Sequence, residues 1–196
     1  MMSLLRNLDP TDYTHRSYLL SSGDDLSARR AEDFESALAR SRAYPQAVTS
    51  TYDITTVPRA RNIHQSLLTT PLSAMQCLIG CFRVLRGPPS ASHPRGNEGE
   101  PPDYTYPDLI LTNGPGTAAC VVLASLVLRF FSPVLPKGWA PNEGSMRTIY
   151  VESWARVRRL SLSGRILVWV VDRFLVQWEG LEGVGGGRGE FIGVLV

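Results

Sequence analysis

Long apolar runs, cysteine pairs and clustered histidines are all scarce in this sequence. The longest apolar run, Ala118 to Leu128, ends at Arg129 and falls well short of the about 20 residues that span a bilayer. It reads instead as a buried helix. Residues 1–8 carry Arg6 inside a short apolar pattern and show no small-residue cleavage site, so no secretory signal is visible. The three cysteines, Cys77, Cys81 and Cys120, form no CxxC pair, and an odd count favours free thiols over a disulfide framework. Cys77 and Cys81 would share a helix face, where two sulfurs are too few for a structural zinc and serve as small hydrophobes. His15, His64 and His93 are scattered, which leaves no metal-ligand set and no Ser/His/Asp arrangement. The net charge of +2 is too small to argue for a nucleic-acid partner.

What is present is globular: 43% hydrophobic and 19% charged residues over 196 positions, enough for a domain with a core. Met1 to Leu8 has helical spacing, stopped by Asp9-Pro10. Strands are expected at 15–20, 52–57, 108–112, 147–151, 172–178 and 191–196. Helices are expected at 25–42, 66–86, 117–131 and about 160–169. Leu26, Ala31, Phe34, Ala37 and Leu38 form the inner stripe of the first of these helices. Leu67, Leu68, Leu72, Met75, Leu78, Ile79 and Phe82 form that of the second. Residues 87–106 are proline-rich and 179–190 glycine-rich, and both read as flexible inserts in a single domain spanning 1–196. Strands alternating with helices predict an α/β fold, a Rossmann-like parallel sheet with helices on both faces. In such sheets ligands bind beyond the carboxyl ends of strands, which directs attention to 58–65, 113–117 and 152–159.

Asn113-Gly114-Pro115-Gly116-Thr117 joins a strand to a helix. Its glycines permit close backbone approach, and the free N–H groups at the helix start favour an anion such as a phosphate. The same residues could serve only as a tight turn; they are neither a Walker loop nor a dinucleotide fingerprint. Glu152 and Ser153 emerge at a strand end, where Glu152 could accept hydrogen bonds from sugar hydroxyls or position a partner loop. Arg156, Arg158, Arg159 and Arg165 follow with no acid among them and could meet phosphates or an anionic membrane, or simply form a solvated basic face. Arg59 and Arg61 could contact phosphate, and His64 could act as an acid–base group or be structural.

The stretches DYTHRSYLLSSGD (12–24), TTVPRARNIHQSLLTTP (55–71), YPDLILTNGPGTA (106–118), IYVESWARVRRLSLSGRI (149–166) and VDRFLVQW (171–178) resemble a known family. It is the membrane-anchoring subunit of dolichyl-diphosphate N-acetylglucosamine transferase, in its fungal form. The resemblance covers most of the chain outside the two inserts. It implies the acceptor-side half of a GT-B glycosyltransferase, non-catalytic and inactive alone. A small separate catalytic subunit would bind UDP-N-acetylglucosamine. The pair would act on N-acetylglucosaminyl diphosphodolichol at the cytosolic face of the endoplasmic reticulum or nuclear membrane. No cofactor, metal or nucleic acid is implied. Asn113, Gly114, Gly116 and Thr117 match the glycine loop expected near the acceptor diphosphate. Glu152, Ser153, Arg156 and Arg59 become acceptor or interface candidates. Family members open with an apolar span, a strand and a Gly-Gly-His-Thr loop, whereas Met1 here already falls in the following helix. The expectation is that upstream coding sequence supplies an apolar span followed by Gly-Gly-His. Two other readings remain at this point. One is a stand-alone Rossmann-type nucleotide-binding enzyme, which would need a fingerprint and downstream acid that are missing. The other is an inactive truncated remnant.

Overall fold

The computed structural model describes residues 5, 12–13, 15–40, 51–61, 65, 69–86, 106–114, 116–134 and 145–193. The expected opening helix (apart from Leu5), the proline-rich insert at 87–105, His64, Pro115 and the chain end at 194–196 lie outside these residues. Two compact units are distinguished, residues 1–57 with 89–100, and residues 58–88 with 101–196.

In the first unit, β1 (His15–Ser21) and β2 (Thr51–Val57) pair in parallel from His15 opposite Thr51 to Ser21 opposite Val57. Parallel partners need a long crossover, and α1 (Asp25–Arg40) lies within it. The entry to α1 is set by Gly23 at φ 76°, which lets the chain turn, and by the Asp24 carboxylate, which accepts the Ser27 N–H at 3.2 Å. The helix faces inward differently from its apolar pattern. Leu26 and Ala37 are exposed, while Ala31 and Glu35 are buried. Glu35 is drawn in because its carboxylate accepts from Arg16 Nε and Nη2 at 2.7 and 2.6 Å and from the Tyr18 hydroxyl at 2.5 Å. Burial, reinforced by Glu35, pushes the Tyr18 pKa well up. Removing one member of a buried ion pair strands its partner. Glu35→Ala should therefore lower stability by about 3–5 kcal/mol, read as the urea midpoint, and Arg16→Met in the same chain should recover part of the loss.

One face of this small sheet carries a polar network around Asp53. Its Oδ1 contacts His15 Nε2 at 3.0 Å and accepts from Ser17 at 2.6 Å, while Oδ2 accepts from Thr55 at 3.1 Å. Burial alone would raise the Asp53 pKa, but these hydrogen bonds outweigh it and hold the carboxyl below its ordinary value.

The second unit holds a four-stranded, all-parallel sheet in the order β3 (Leu109–Asn113), β4 (Arg147–Val151), β5 (Arg173–Val176), β6 (Gly189–Phe191). α2 (Thr70–Arg86) precedes β3, α3 (Thr117–Phe131) connects β3 to β4, and α4 (Leu162–Leu167) connects β4 to β5. The α/β class with parallel strands and helical crossovers is thus the one expected, although the described strands fall into two sheets rather than one. Tyr150 and Phe174 stack at 5.2 Å in a core that includes Val122, Leu167, Val168 and Val176. α3 with the following turn, Thr117–Val134, is long and apolar enough by composition to cross a membrane. One face of it, with Ala118, Val121, Val122, Ala124, Ser125 and Leu128, is buried within the unit, while Leu123, Phe130 and Phe131 are exposed.

α2 buries Ser73, Cys77, Cys81 and Leu85, not the predicted stripe, and leaves Leu72, Met75 and Ile79 exposed. Both sets recur at helical spacing, so the apolar pattern alone could not choose between them. The small thiols let α2 approach α3, where Cys120 Sγ contacts the Ala74 carbonyl at 3.8 Å. The three cysteines are free. Hydrogen bonds from Cys120, Cys81 and Thr117 lower the Cys77 pKa, and those given to Cys77 push up the other two thiols.

Residues 179–190, expected as a flexible insert, instead carry a short 3-10 turn, a left-handed glycine series and part of β6. This segment forms the crossover between parallel β5 and β6 without a long helix. Gly185 at φ 66° sits where a Cβ would lie 2.3 Å from Val168 Cγ2, so backbone conformation and packing both call for glycine there.

Asp172, just before β5, accepts from the Thr148 backbone N–H at 2.7 Å, the Thr148 hydroxyl at 2.9 Å and Arg129 at 2.9 Å. Burial opposes ionisation, but these donors prevail and its pKa is lowered. A carboxyl depressed on folding contributes stability above its unfolded pKa of about 3.9, lost as pH falls through the folded value. Asp172→Asn should reduce stability at neutral pH and flatten its decline below about pH 4, measured by urea unfolding across an acid series.

Candidate functional site

The segments following the parallel neighbours β3 and β4 leave the same end of the sheet, and the segment at 58–61 lies against the one after β3. After β3, Gly114 and Gly116 take φ 82° and 79°, conformations that an L side chain rarely adopts. Gly116 is the N-cap of α3 and supplies no side-chain cap, so the first N–H groups of that helix are not closed off by a capping side chain. Asn113 is exposed at the end of β3.

A Cβ on Gly116 would lie 3.6 Å from Ala60 Cβ, which places the segment carrying Arg59 against the glycine loop. Ser73 of α2 fixes that segment by donating to the Ala60 carbonyl at 2.9 Å. Arg59 is half-buried there. Across the loop, the Tyr150 hydroxyl of β4 contacts the Gly114 carbonyl at 3.3 Å. Burial, with a contribution from Glu152, pushes the Tyr150 pKa up to about 12, so the phenol stays protonated and can donate.

Glu152 is the second centre of the site. It is 1% exposed, and its carboxylate is already occupied. Oε1 accepts from the Ser153 N–H at 2.9 Å, and Oε2 accepts from both the N–H and the hydroxyl of Ser161 at 3.0 Å. Its backbone is held as well, by donation from Glu152 N to the Leu175 carbonyl at 2.9 Å and by Gln177 Nε2 to the Glu152 carbonyl at 2.8 Å. A carboxylate so engaged has little capacity left for sugar hydroxyls. The carboxylate ties Ser153 to Ser161 and so holds loop 153–161 closed.

Ser161 then serves as N-cap of α4, its Oγ accepting the Gly164 N–H at 2.9 Å. The carboxylate thus reaches through one hydroxyl into the next helix. A Cβ at position 164 would fall 2.0 Å from Glu152 Oε2, so glycine is required for the carboxylate to stay where it is. The loop held in this way presents Arg156, exposed, and Ser153, half-buried, with Arg156 N donating to the Ser153 carbonyl at 2.9 Å.

Among the predicted residues, the structure brings together Gly114, Gly116 and the segment of Arg59, and joins Glu152 to Ser153. Tyr150, Ser161, Gly164 and Gln177 were missed by sequence reasoning. Gln177 could have been found by inspecting the end of β5 as the ends of β3 and β4 were inspected. Ser161, directly before the helical segment, carries an N-cap signal.

Residues 1–195 match the family described as "Oligosaccharide biosynthesis protein Alg14 like". The chain belongs to the Alg14-like family. It is similar to the UDP-N-acetylglucosamine transferase subunit alg14 of Aspergillus fumigatus, 43% identical over 231 residues and covering 100% of both chains. It is also similar to the subunit so named in Schizosaccharomyces pombe, 35% identical, covering 100% of this chain and 76% of the other. The human subunit of the same name is 29% identical, over 87% of this chain and 65% of that one. No solved structure matches the chain.

Proposed function

We propose that this chain is the non-catalytic, acceptor-side subunit of a two-protein transferase. It recruits a small catalytic subunit that binds UDP-N-acetylglucosamine. With that subunit it transfers N-acetylglucosamine to N-acetylglucosaminyl diphosphodolichol, the second step in assembling the dolichol-linked oligosaccharide. The observation that carries this reading is the packing of the glycine loop after β3 against the segment of Arg59, beside the end of β4 where Glu152 is held. Membership of the Alg14-like family supports it. Main-chain N–H groups at the start of α3 and nearby guanidinium groups suit a diphosphate, which carries several acceptor oxygens and full negative charge.

In this proposal Gly114 and Gly116 allow the diphosphate to approach the backbone, and the N–H groups at Thr117 and beyond receive it. Asn113 offers a polar side chain at the rim, Arg156 and Arg59 contribute charge, and Ser153, its N–H held by Glu152, contributes its hydroxyl. The place of action is the cytosolic face of the endoplasmic reticulum membrane.

Reconstitution tests the proposal. The chain and the small catalytic subunit are co-expressed, purified, and supplied with labelled UDP-N-acetylglucosamine and a short-chain polyprenyl diphosphate N-acetylglucosamine acceptor. Co-purification, and transfer by the pair but by neither protein alone, is the expected result. Nucleotide binding by this chain alone would favour a stand-alone enzyme, and failure of the chain to bind the partner would support an inactive remnant.

A further inference from the structure

Residues 153–171 contain Arg156, Arg158, Arg159 and Arg165 and no acidic residue. The same stretch exposes large apolar side chains that a folded domain usually covers. Leu162 is 75% exposed, Ile166 62%, Trp169 59%, Trp154 49% and Val157 46%. Leu162, Ile166 and Trp169 follow the i, i+4, i+7 spacing of one helical face along α4 and the turn after it, with Arg165 beside them. The opposite face, with Gly164, Leu167, Val168 and Val171, is buried, so this exposure is a stable feature of the packed helix.

The loop is fixed too. The Glu152 carboxylate ties Ser153 to Ser161, and Trp154 packs on Trp178 at 5.7 Å while its carbonyl accepts the Trp178 indole N–H at 2.7 Å.

We propose that the face built from loop 154–159 and the outer side of α4 docks on an anionic lipid bilayer. The reading of the chain as a subunit acting on a lipid-linked acceptor underlies this inference, which adds the surface that holds the site at the membrane. The chemistry favours a bilayer over a protein partner. Arginines without acids match a layer of anionic headgroups, and tryptophan with leucine and isoleucine matches the interfacial zone beneath it. A protein interface ordinarily carries a hydrogen-bonding polar rim. Serine is the only uncharged polar residue type in 153–171, and Ser161 is already engaged with Glu152 and Gly164. Shallow insertion of Leu162, Ile166 and Trp169 would bring the guanidinium groups to headgroup depth.

The test is vesicle co-flotation of the full chain bound to its catalytic partner. Vesicles are either phosphatidylcholine alone or phosphatidylcholine mixed with phosphatidylinositol. Wild type should float with the anionic vesicles far better than with the neutral ones. Arg158→Ser with Arg159→Ser should lower the partition coefficient about thirtyfold, and Leu162→Ser with Ile166→Ser should lower it comparably. Arg29→Ser with Arg30→Ser, on exposed positions of α1, should leave it unchanged. Partner capture and transfer to a detergent-solubilised short-chain acceptor are measured on the same samples. Lost flotation with capture and transfer retained supports the docking face. Loss of partner capture in the Leu162 and Ile166 variant would assign the face to a protein interface and overturn the proposal. Wild-type flotation indifferent to lipid charge, or unaffected by both variants, would overturn it while leaving the transferase reading intact. A wild-type pair without transfer activity in detergent would count against the transferase reading, whatever the flotation result.

Discussion

Glu152→Ala should lower the unfolding free energy by about 3–5 kcal/mol and reduce transfer by the reconstituted pair at least about tenfold. The reasoning runs through satisfied donors, not through contact with sugar. Truncation strands the N–H groups of Ser153 and Ser161 and the Ser161 hydroxyl, all of which now end on this carboxylate. An unsatisfied buried donor costs about 1–3 kcal/mol, so partial relief by water would still leave a large loss. Glu152→Gln should recover only part of the stability, because its amide NH2 would face donors whichever way it turned. Activity should fall mainly through weaker acceptor binding, since the loop that presents Ser153 and Arg156 would no longer be closed. Stability is read from urea unfolding and activity from acceptor titrations. A variant of wild-type stability would refute the clamp.

The second large effect concerns Gly164. An isolated helix gains about 1 kcal/mol when glycine becomes alanine, yet Gly164→Ala should destabilise this protein by about 3 kcal/mol. The new Cβ would stand 2.0 Å from Glu152 Oε2 and 3.1 Å from Ser161 Oγ, so the carboxylate must leave its donors. A double-mutant cycle gives a sharper expectation. Once Glu152 is alanine, only the 3.1 Å approach to Ser161 Oγ remains, and Gly164→Ala should become close to neutral. Additive losses in the double variant would mean that the two residues do not share a constraint.

Much of the architecture could be read from residues alone, and the limits have physical causes. Thr117–Phe131 and Arg147–Val151 have the bounds that their patterns predict, because a glycine loop opens the helix and β-branched residues fill the strand. The inner face of α2 was not legible, since Leu72, Met75 and Ile79 form an apolar stripe as regular as that of Cys77, Cys81 and Leu85. The stripe of α1 was right at Ala31 and in part at Phe34 and Leu38, but it missed Glu35, which is buried by Arg16 and Tyr18 of a different element. The glycine-rich segment at 179–190 reads as a linker by composition, yet its glycines adopt left-handed conformations that make a compact crossover. At the candidate site, the strand-end rule directed attention to Asn113–Thr117 and Glu152. It could not give the role of Glu152, because the donors that define it come from the neighbouring Ser153 and, across the loop, from Ser161.

The central claim is that this chain carries the acceptor side of the transfer. It is tested most directly by steady-state kinetics of the reconstituted pair with Gly116→Val, titrating each substrate in turn. A branched side chain at φ 79° would disturb the loop at the start of α3. The predicted result is an acceptor KM raised about tenfold or more, the cost of a lost charge-assisted contact, with the KM for UDP-N-acetylglucosamine unchanged. A raised donor KM with an unchanged acceptor KM would contradict the account.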